Sequence, residues 1–367
     1  MTPNVALIHY WLISIRGGEK VLKEVADMFP SATIHTHVTK QSVLDELLPE
    51  RRVDTTWVNR IPGASRIYPA LLPLMALATE TIPTQGIDLL LSFESGPAKG
   101  IVRPSGAFHA CYCHTPMRYI WDLKDDYRRR IPWPLRPLWD LQATALRAWD
   151  RSTANEVDLF MANSMNVQKR IWAHYRRESV VVYPPVDTDF FVPDPEVPRD
   201  EYFVYLGQLS AYKRPHDLLS LVSAGFSPLK IIGSGAGKKR LAHAARGLPI
   251  EFLGRVDDEV VRRLLQGARG LLFPGEEDFG MVPVEAMACG TPVIALDAGG
   301  ATETVVPGVT GIRYQEGKFD EAYGQFCEME ADLNESDIRG HAEAFGRQRF
   351  RREFLEIVTR ESGLDLS

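Results

Sequence analysis

Short apolar runs separated by amphipathic stretches recur from one end of the chain to the other. Near the start, NVALIHYW at residues 4–11 is an unbroken apolar run of strand length, and EKVLKEVADMF at 19–29 has its apolar positions at helical spacing. ATIHTHV, IDLLLSF, HACYCH, VDLFMANS and SVVVYP follow as further strands, divided by helical or turn-rich stretches that include a leucine-rich, proline-punctuated segment at 68–80. A proline-dense stretch, PPVDTDFFVPDPEVP at 184–198, has neither period and reads as an interdomain linker. Beyond it the alternation resumes with YFVYLG, a helix over 214–224, LKIIG, a helix over 237–246, IEFLG, a helix over 257–268, GLLFP, a helix over 281–289, PVIAL and a helix after Gly299-Gly300. Repeated strand–helix units predict an α/β chain of two Rossmann-like, parallel-sheet domains facing a central cleft. The first is expected over 1–192 and the second over 193–340. Residues 341–367 carry a terminal helix, its period clearest over 341–358.

The candidate chemistry concentrates in GLLFPGEEDFGMVPVEAMACGTPVIALDAGGATE at 270–303. Leu271, Leu272 and Phe273 stop at Pro274-Gly275, so Glu276, Glu277 and Asp278 occupy a loop at the C-terminal edge of a buried strand. Pro283 falls in the first turn of the next helix, where a missing N–H costs nothing, and Gly290 before Thr291-Pro292 ends it. The helix start, through Phe279, Gly280, Met281 and Val282, presents free N–H groups at the edge where open parallel sheets bind ligands, and suits an anion. Glu277 in the loop and Glu285 a turn into the helix can both accept hydroxyls there. Acids before a helix also serve as plain dipole partners, and the window alone leaves both readings open.

Other turns add to it. In GQLSAYKR at 207–214, Lys213 precedes a helix and its ammonium can reach a diphosphate, with Arg214 beside it. GSGAGKKR at 233–240 has no Ser or Thr after its Lys, which excludes a P-loop ATPase. Gly254 ends a strand in LGRVDDEV, flanked by Arg255. Gly17-Gly18 opens the first helix and serves either close approach to a ligand or tight turning. His114 ends the run HACYCH, with Pro116 keeping Thr115 out of a helix. A histidine at that edge is either a ligand contact or a hydrogen-bonded structural residue.

Composition narrows the class. The 367 residues suffice for two ordinary domains, and 45% hydrophobic with 25% charged residues fits a soluble globular chain. A net charge of −6 argues against general nucleic-acid binding. The absence of a long apolar run or a cleavable leader pattern at the start leads to the expectation of a cytoplasmic protein. Cys111 and Cys113 alternate in a strand-like run while Cys289 and Cys327 lie far off; the four lack metal-ligand spacing and are expected in the core, and no metal site is expected. Between 118 and 151, Arg118, Lys124, Arg128, Arg129, Arg130, Arg136, Arg147 and Arg151 interleave with Trp121, Trp133, Trp139 and Trp149. Such a surface suits peripheral contact with an anionic membrane at its inner face. Inward-packing tryptophans in a loop shaped by Pro132, Pro134 and Pro137 account for it equally well.

Glu277 and Glu285, with seven residues between them, resemble the Glu-seven-Glu motif of the retaining nucleotide-sugar glycosyltransferases of family 4, whose fold is GT-B. The resemblance implies that Glu277 contacts the transferred sugar, Glu285 holds the nucleotide ribose and Lys213 neutralises the leaving diphosphate. Gln208 stands where the family commonly has an Arg, and Arg214 is the substitute cation. The backbone at Gly254, flanked by Arg255, is where relatives hold the base, Gly17 and Gly18 lie near the donor phosphates or the acceptor, and His114 contacts the transferred sugar. HACYCHTPMRYIWD is similar to a bacterial subgroup that builds cell-surface polysaccharides such as lipopolysaccharide, several of them mannosyltransferases. The implied reaction is metal-independent hexosyl transfer, with mannose from GDP-mannose the leading expectation, to a glycan or lipid-linked acceptor. No cofactor is implied, the nucleoside diphosphate sugar being a co-substrate. The same resemblance implies that the terminal helix crosses back to the first domain. Two rivals stand beside it: a catalytically idle GT-B protein that binds a nucleotide sugar or glycan as a partner subunit, with Gln208 in its favour, and two-carboxylate glycosidase chemistry.

Overall fold

The computed structural model describes residues 2–219 and 227–366. Two compact units share the chain: one runs to Tyr183 and resumes at Phe350, and the other spans Pro184–Arg349. The first holds β1 (Val5–His9), β2 (Trp11–Leu12), β3 (Thr33–Thr36), β4 (Val38–Thr39), β5 (Val53–Thr55), β6 (Leu89–Glu94), β7 (Phe108–Cys113), β8 (Leu159–Ala162) and β9 (Val180–Val181). Seven of these form one parallel sheet in the order β5-β3-β1-β6-β7-β8-β9, and β2 pairs with β4 apart from it.

On one face of that sheet Val5, Leu7, Leu89, Leu91 and Tyr112 meet Val21, Leu22 and Val25 of the helix Gly17–Met28. Phe350, Phe354 and Val358 of the helix Arg347–Ser362 join the same cluster. These three recur every fourth residue and are fully buried, each such side chain stabilising by about 1.5–3 kcal/mol. Ala6, Ile8 and Leu90 pack with Ala98 and Ile101 on the other face. With both faces covered, alternation disappears, which is why these strands read as continuous apolar runs.

The second unit holds β10 (Phe203–Leu206), β11 (Leu229–Ile232), β12 (Ile250–Gly254), β13 (Gly270–Phe273), β14 (Val293–Leu296) and β15 (Gly311–Tyr314), all parallel, in the order β12-β11-β10-β13-β14-β15. Counted within each unit, both sheets follow the doubly wound order in which strand sequence reverses beside the first strand. The reversals lie between β1 and β6 and between β10 and β13. Loops leaving either side of a reversal diverge to opposite faces and open a crevice at the strands' C-terminal ends.

Several expectations change. The helix expected over 214–224 is helical at 217–219, and its residues 220–224 lie outside the described residues. The helix after Gly299-Gly300 is a single turn, Ala301–Thr304. β15 and the helix Phe319–Met329 lie beyond the last pattern read from the chain. The helix expected over 341–358 is two, Glu335–Glu343 and Arg347–Ser362. Its break has a cause: Gly346 bridges to Val186, whose N–H donates to the Phe345 carbonyl at 3.0 Å, and a Cβ at Gly346 would stand 2.9 Å from Thr188 Oγ1. Cys111, Cys113 and Cys289 are buried, but Cys327 is exposed, because Tyr323 and Phe326 supply the buried side of its helix.

Candidate active site

In the second unit the reversal brings together the loop after β10 and the loop after β13. Lys213, in the single helical turn Ala211–Lys213, places its Nζ 2.7 Å from Glu277 Oε1, both side chains being mostly buried. The approach is close at the backbone as well, since a Cβ at Gly275 would stand 2.8 Å from Lys213 Cα. Burial, with the Glu277 carboxylate adding to it, pushes the Tyr205 phenol far above its ordinary range, and its O–H donates to the Gln208 carbonyl at 3.3 Å. An ammonium and a carboxylate thus face each other where an anionic ligand of an open sheet belongs.

The helix Met281–Ala288 starts from Gly280 in the left-handed region, φ 81°, where the Phe273 ring lies against it. Phe279 is buried and packs on Phe345, so its side chain belongs to the core and only its backbone borders the loop. The N–H groups of Met281 and Val282 precede any intrahelical acceptor, and Pro283 has none to offer. Glu285 is 8% exposed on this helix, and its carboxylate adds to the burial that pushes the Cys289 thiol up to about 12.

Gly299 and Gly300 turn out to hold the acidic loop. A Cβ at Gly299 would stand 2.2 Å from the Glu277 carbonyl oxygen, and one at Gly300 would stand 2.1 Å from that of Phe279. The Gly300 N–H donates to the Glu277 carbonyl at 2.9 Å, so it is committed to the loop and does not serve a diphosphate. Gly300→Ala is therefore expected to displace residues 277–280, costing about 1–3 kcal/mol of stability and weakening nucleotide binding. Gly324→Ala, in open space on a helix, is the control and should cost nothing. Thermal melts and nucleotide calorimetry on both variants check this; equal behaviour would remove the steric argument.

The glycines of 233–237 have the same explanation. A Cβ at Gly233, φ 134°, would meet the Gly207 carbonyl at 1.9 Å, and Leu209 exchanges backbone hydrogen bonds with Ser234 and Gly237, each at 3.0 Å. This loop packs backbone to backbone on the Lys213 loop. Gly254, φ 74°, gives its carbonyl to the Gly233 N–H, and Arg255 is exposed next to it. Arg214 is turned toward Asp217 and Glu316, 2.8 Å from each, and these carboxylates hold its pKa above the usual value. The linker's Asp-x-Asp sequence, Asp187-Thr188-Asp189, caps a turn: Asp187 accepts from the Phe190 N–H and pairs with Arg347, each at 3.2 Å. Among the described residues no group of three or more His, Cys, Asp or Glu is gathered to hold a metal ion.

In the first unit the structure brings Gly18 and His114 side by side. A Cβ at Gly18 would stand 3.3 Å from His114 Nε2, an atom that is buried without a hydrogen-bond partner. Burial lowers the His114 pKa to about 4, so the ring is neutral. Gly17 and Gly18 open their helix, and Glu19 accepts from the Arg16 N–H at 3.1 Å. Burial raises Glu19 to about 7. Sequence reasoning missed His9, the last residue of β1, whose Nδ1–H donates to the Trp11 carbonyl at 2.8 Å and whose Nε2 is buried without a partner. Its signal was its place at the end of the first strand, the same signal that singled out His114. Ser210 and His216, flanking Lys213 with buried unpartnered Oγ and Nε2 atoms, had no signal at all.

Two doubly wound parallel sheets are the fold of the GT-B class of glycosyltransferases. A family model described as Glycosyltransferase Family 4 matches residues 15–190, and one described as Glycosyl transferases group 1 matches residues 186–335. The chain belongs to these glycosyltransferase families. It is similar to the D-inositol 3-phosphate glycosyltransferase of Geodermatophilus obscurus, 28% identical over 53% of this chain and 50% of that protein. It is also similar to the GDP-mannose-dependent alpha-(1-6)-phosphatidylinositol dimannoside mannosyltransferase of Mycobacterium tuberculosis, 38% identical over 29% of this chain and 30% of that protein. The chain thus spans half or less of the length of these curated relatives. Among solved structures, HepE of Anabaena in complex with UDP and glucose superposes with a TM-score of 0.74 at 19% identity, covering 98% of this chain and all of that one, a likeness of fold. Among the described residues no helix is long and apolar enough to cross a membrane.

Proposed function

We propose that the chain is a retaining, metal-independent hexosyltransferase that moves a sugar from a nucleoside diphosphate to a glycan or lipid-linked acceptor in cell-surface polysaccharide synthesis. The observation that carries it is the Lys213–Glu277 pair at the β10/β13 reversal, next to the helix that bears Glu285. Mannose from GDP-mannose is the first donor to test, in keeping with the donor in the printed name of the mycobacterial relative.

In this reading the donor's diphosphate takes Glu277's place beside Lys213, and the free N–H groups of Met281 and Val282 share its charge. Arg214, next to Lys213 in the chain, is held by Asp217 and Glu316 outside that contact, and Arg255 stands next to Gly254. The bond from the sugar's anomeric carbon to the diphosphate oxygen breaks while a bond from the acceptor oxygen forms on the same face. The acceptor's proton passes to the departing diphosphate. Glu277, released from Lys213, accepts sugar hydroxyls and orients the ring, and Glu285 accepts those of the ribose. On the first unit, neutral His114 beside Gly17 and Gly18 offers a ring nitrogen to a ligand hydroxyl, and on the second unit Gly254 borders the base.

A panel of nucleotide sugars, read for donor hydrolysis and for transfer with the anomeric configuration of the product, tests the reading. Tight nucleotide binding with neither hydrolysis nor transfer would make the chain a binding partner instead, and an inverted product would overturn retention. Because a lysine supplies the leaving-group charge, activity should also survive exhaustive chelation. Loss on chelation with rescue by Mg²⁺ or Mn²⁺ would overturn that chemistry.

A further inference from the structure

The helix Arg136–Thr153 is anchored on one side only. Asp150 and Lys99 are fully buried and paired, with Trp121 Nε1 and the Tyr175 hydroxyl donating to Asp150 at 2.7 and 2.9 Å. Asp150 and Ala143, seven residues apart, are this helix's buried positions. Half a turn away, on the opposite side, lie Leu138, Leu141, Ala145 and Ala148, all exposed. Leu138 is 63% and Leu141 68% exposed, and just ahead of them Trp133 is 78% and Leu135 53% exposed. Ordinary surface helices put their polar residues there. The preceding helix, Lys124–Arg130, buries nothing and ends in Arg128, Arg129 and Arg130.

We infer that this face, Trp133, Leu135, Leu138 and Leu141 flanked by Arg129, Arg130 and Arg136, docks the first unit onto an anionic lipid surface. Three features favour a bilayer. A solvent-facing apolar stripe on a helix held from behind can lie in the interface plane with its side chains among the acyl boundary. An indole and cationic side chains border that stripe, the residue types that settle at headgroup level. The arginines are a local run of positive charge on a chain of net charge −6, so this face can attract anionic phosphates that the chain as a whole would not. Arg128 is not part of it, being held by Asp140 at 3.0 Å. Arg129 is paired with Asp126 yet 72% exposed on its side chain, Arg130 covers the Tyr127 ring and Arg136 caps the Ile131 carbonyl, while Asp122 and Asp125 are exposed acids nearby. The inference is independent of the sugar-transfer reading, because lipid binding needs neither donor nor acceptor.

The test is flotation of the full chain with phosphatidylcholine vesicles and with vesicles containing phosphatidylglycerol, at low and high salt. Wild type should float with the anionic vesicles and be released by salt. Leu138→Glu/Leu141→Glu should lower partitioning about 30-fold or more, and the milder Leu138→Ser/Leu141→Ser should act in the same direction. Arg129→Ser/Arg130→Ser should lose about fivefold for each arginine, and only on anionic vesicles. Circular dichroism melts at wild-type temperature certify the fold of each variant. Absence of wild-type flotation at low salt, or leucine variants that float like wild type, would overturn the inference. So would a lipid-free dimer that the leucine variants convert to monomer, which would make the face a contact between copies of this chain.

Discussion

Lys213→Ala is expected to lower kcat/KM by roughly 10- to 150-fold, the loss of one charge-assisted hydrogen bond to the leaving diphosphate. Without donor, the Lys213 ammonium is held by Glu277 at 2.7 Å, so a diphosphate has to exchange with that carboxylate to reach it. Glu277→Gln removes the competing charge. Free nucleoside diphosphate should then bind at least as tightly as to wild type, while kcat falls because the sugar loses the group that orients it. Glu285→Gln, on the helix behind, should mainly raise the donor KM, since ribose contacts are alike in ground and transition states. Steady-state kinetics with calorimetry on the three variants resolve these outcomes. Near-normal kcat/KM in a folded Lys213→Ala protein removes Lys213 from the site. Loss of nucleotide binding in Glu277→Gln, with Glu285→Gln near wild type, reverses the two carboxylate roles.

Mild acid is expected to destabilise the first unit selectively. Burial lowers His9 and His109 to about 3, and His37 and His114 to about 4, from an ordinary 6.5. Their hydrogen bonds fit neutral rings: His9 donates to the Trp11 carbonyl, and His37 lies between Thr56 Oγ1 at 3.0 Å and Thr79 Oγ1 at 3.1 Å. Each histidine binds a proton when unfolded but not when folded, so its stabilisation is complete above 6.5 and is lost as pH falls toward its folded value. Glu19 works in the other direction. Raised by burial from 4.5 to about 7, it favours the folded state below 4.5 and loses that contribution as pH rises through 7. Four histidines against one carboxyl leave a net loss on the order of 3 kcal/mol between pH 6 and 5. All five groups lie before Tyr183, so hydrogen exchange at pH 7 and 5 should show protection falling in peptides of 2–183 and 350–366 first. Equal protection at both pH values, or loss confined to 184–349, would refute it.

Element types were legible along the chain because period reports burial. Continuous apolar runs such as ALIH and LLLSF mark strands covered on both faces, and the three-and-four spacing in EKVLKEVADMF marks a helix with one buried side. Glu277, Glu285 and Lys213 were legible as motif residues because each sits at a strand end or helix start, which glycine and proline punctuate. Strand order was not legible, since nothing local records which edges pair. That order decided the site: β10 lies beside β13, so Lys213 meets Glu277 across 63 intervening positions and Arg214 is drawn instead to Asp217 and Glu316. Local pattern also gave no reason for the glycines of 233–237 and 299–300, whose need for bare backbone arises from carbonyls of distant loops. The terminal helix divides at Gly346 for the same reason, because Val186 pairs there. The tryptophan and arginine segment had two equal readings, and packing divides its tryptophans without deciding between them: Trp121 reaches the buried Asp150 while Trp133 stands in solvent. Sequence by itself determines what each segment tends to become; which segments meet is settled by burial of both sheet faces, and with it the chemistry.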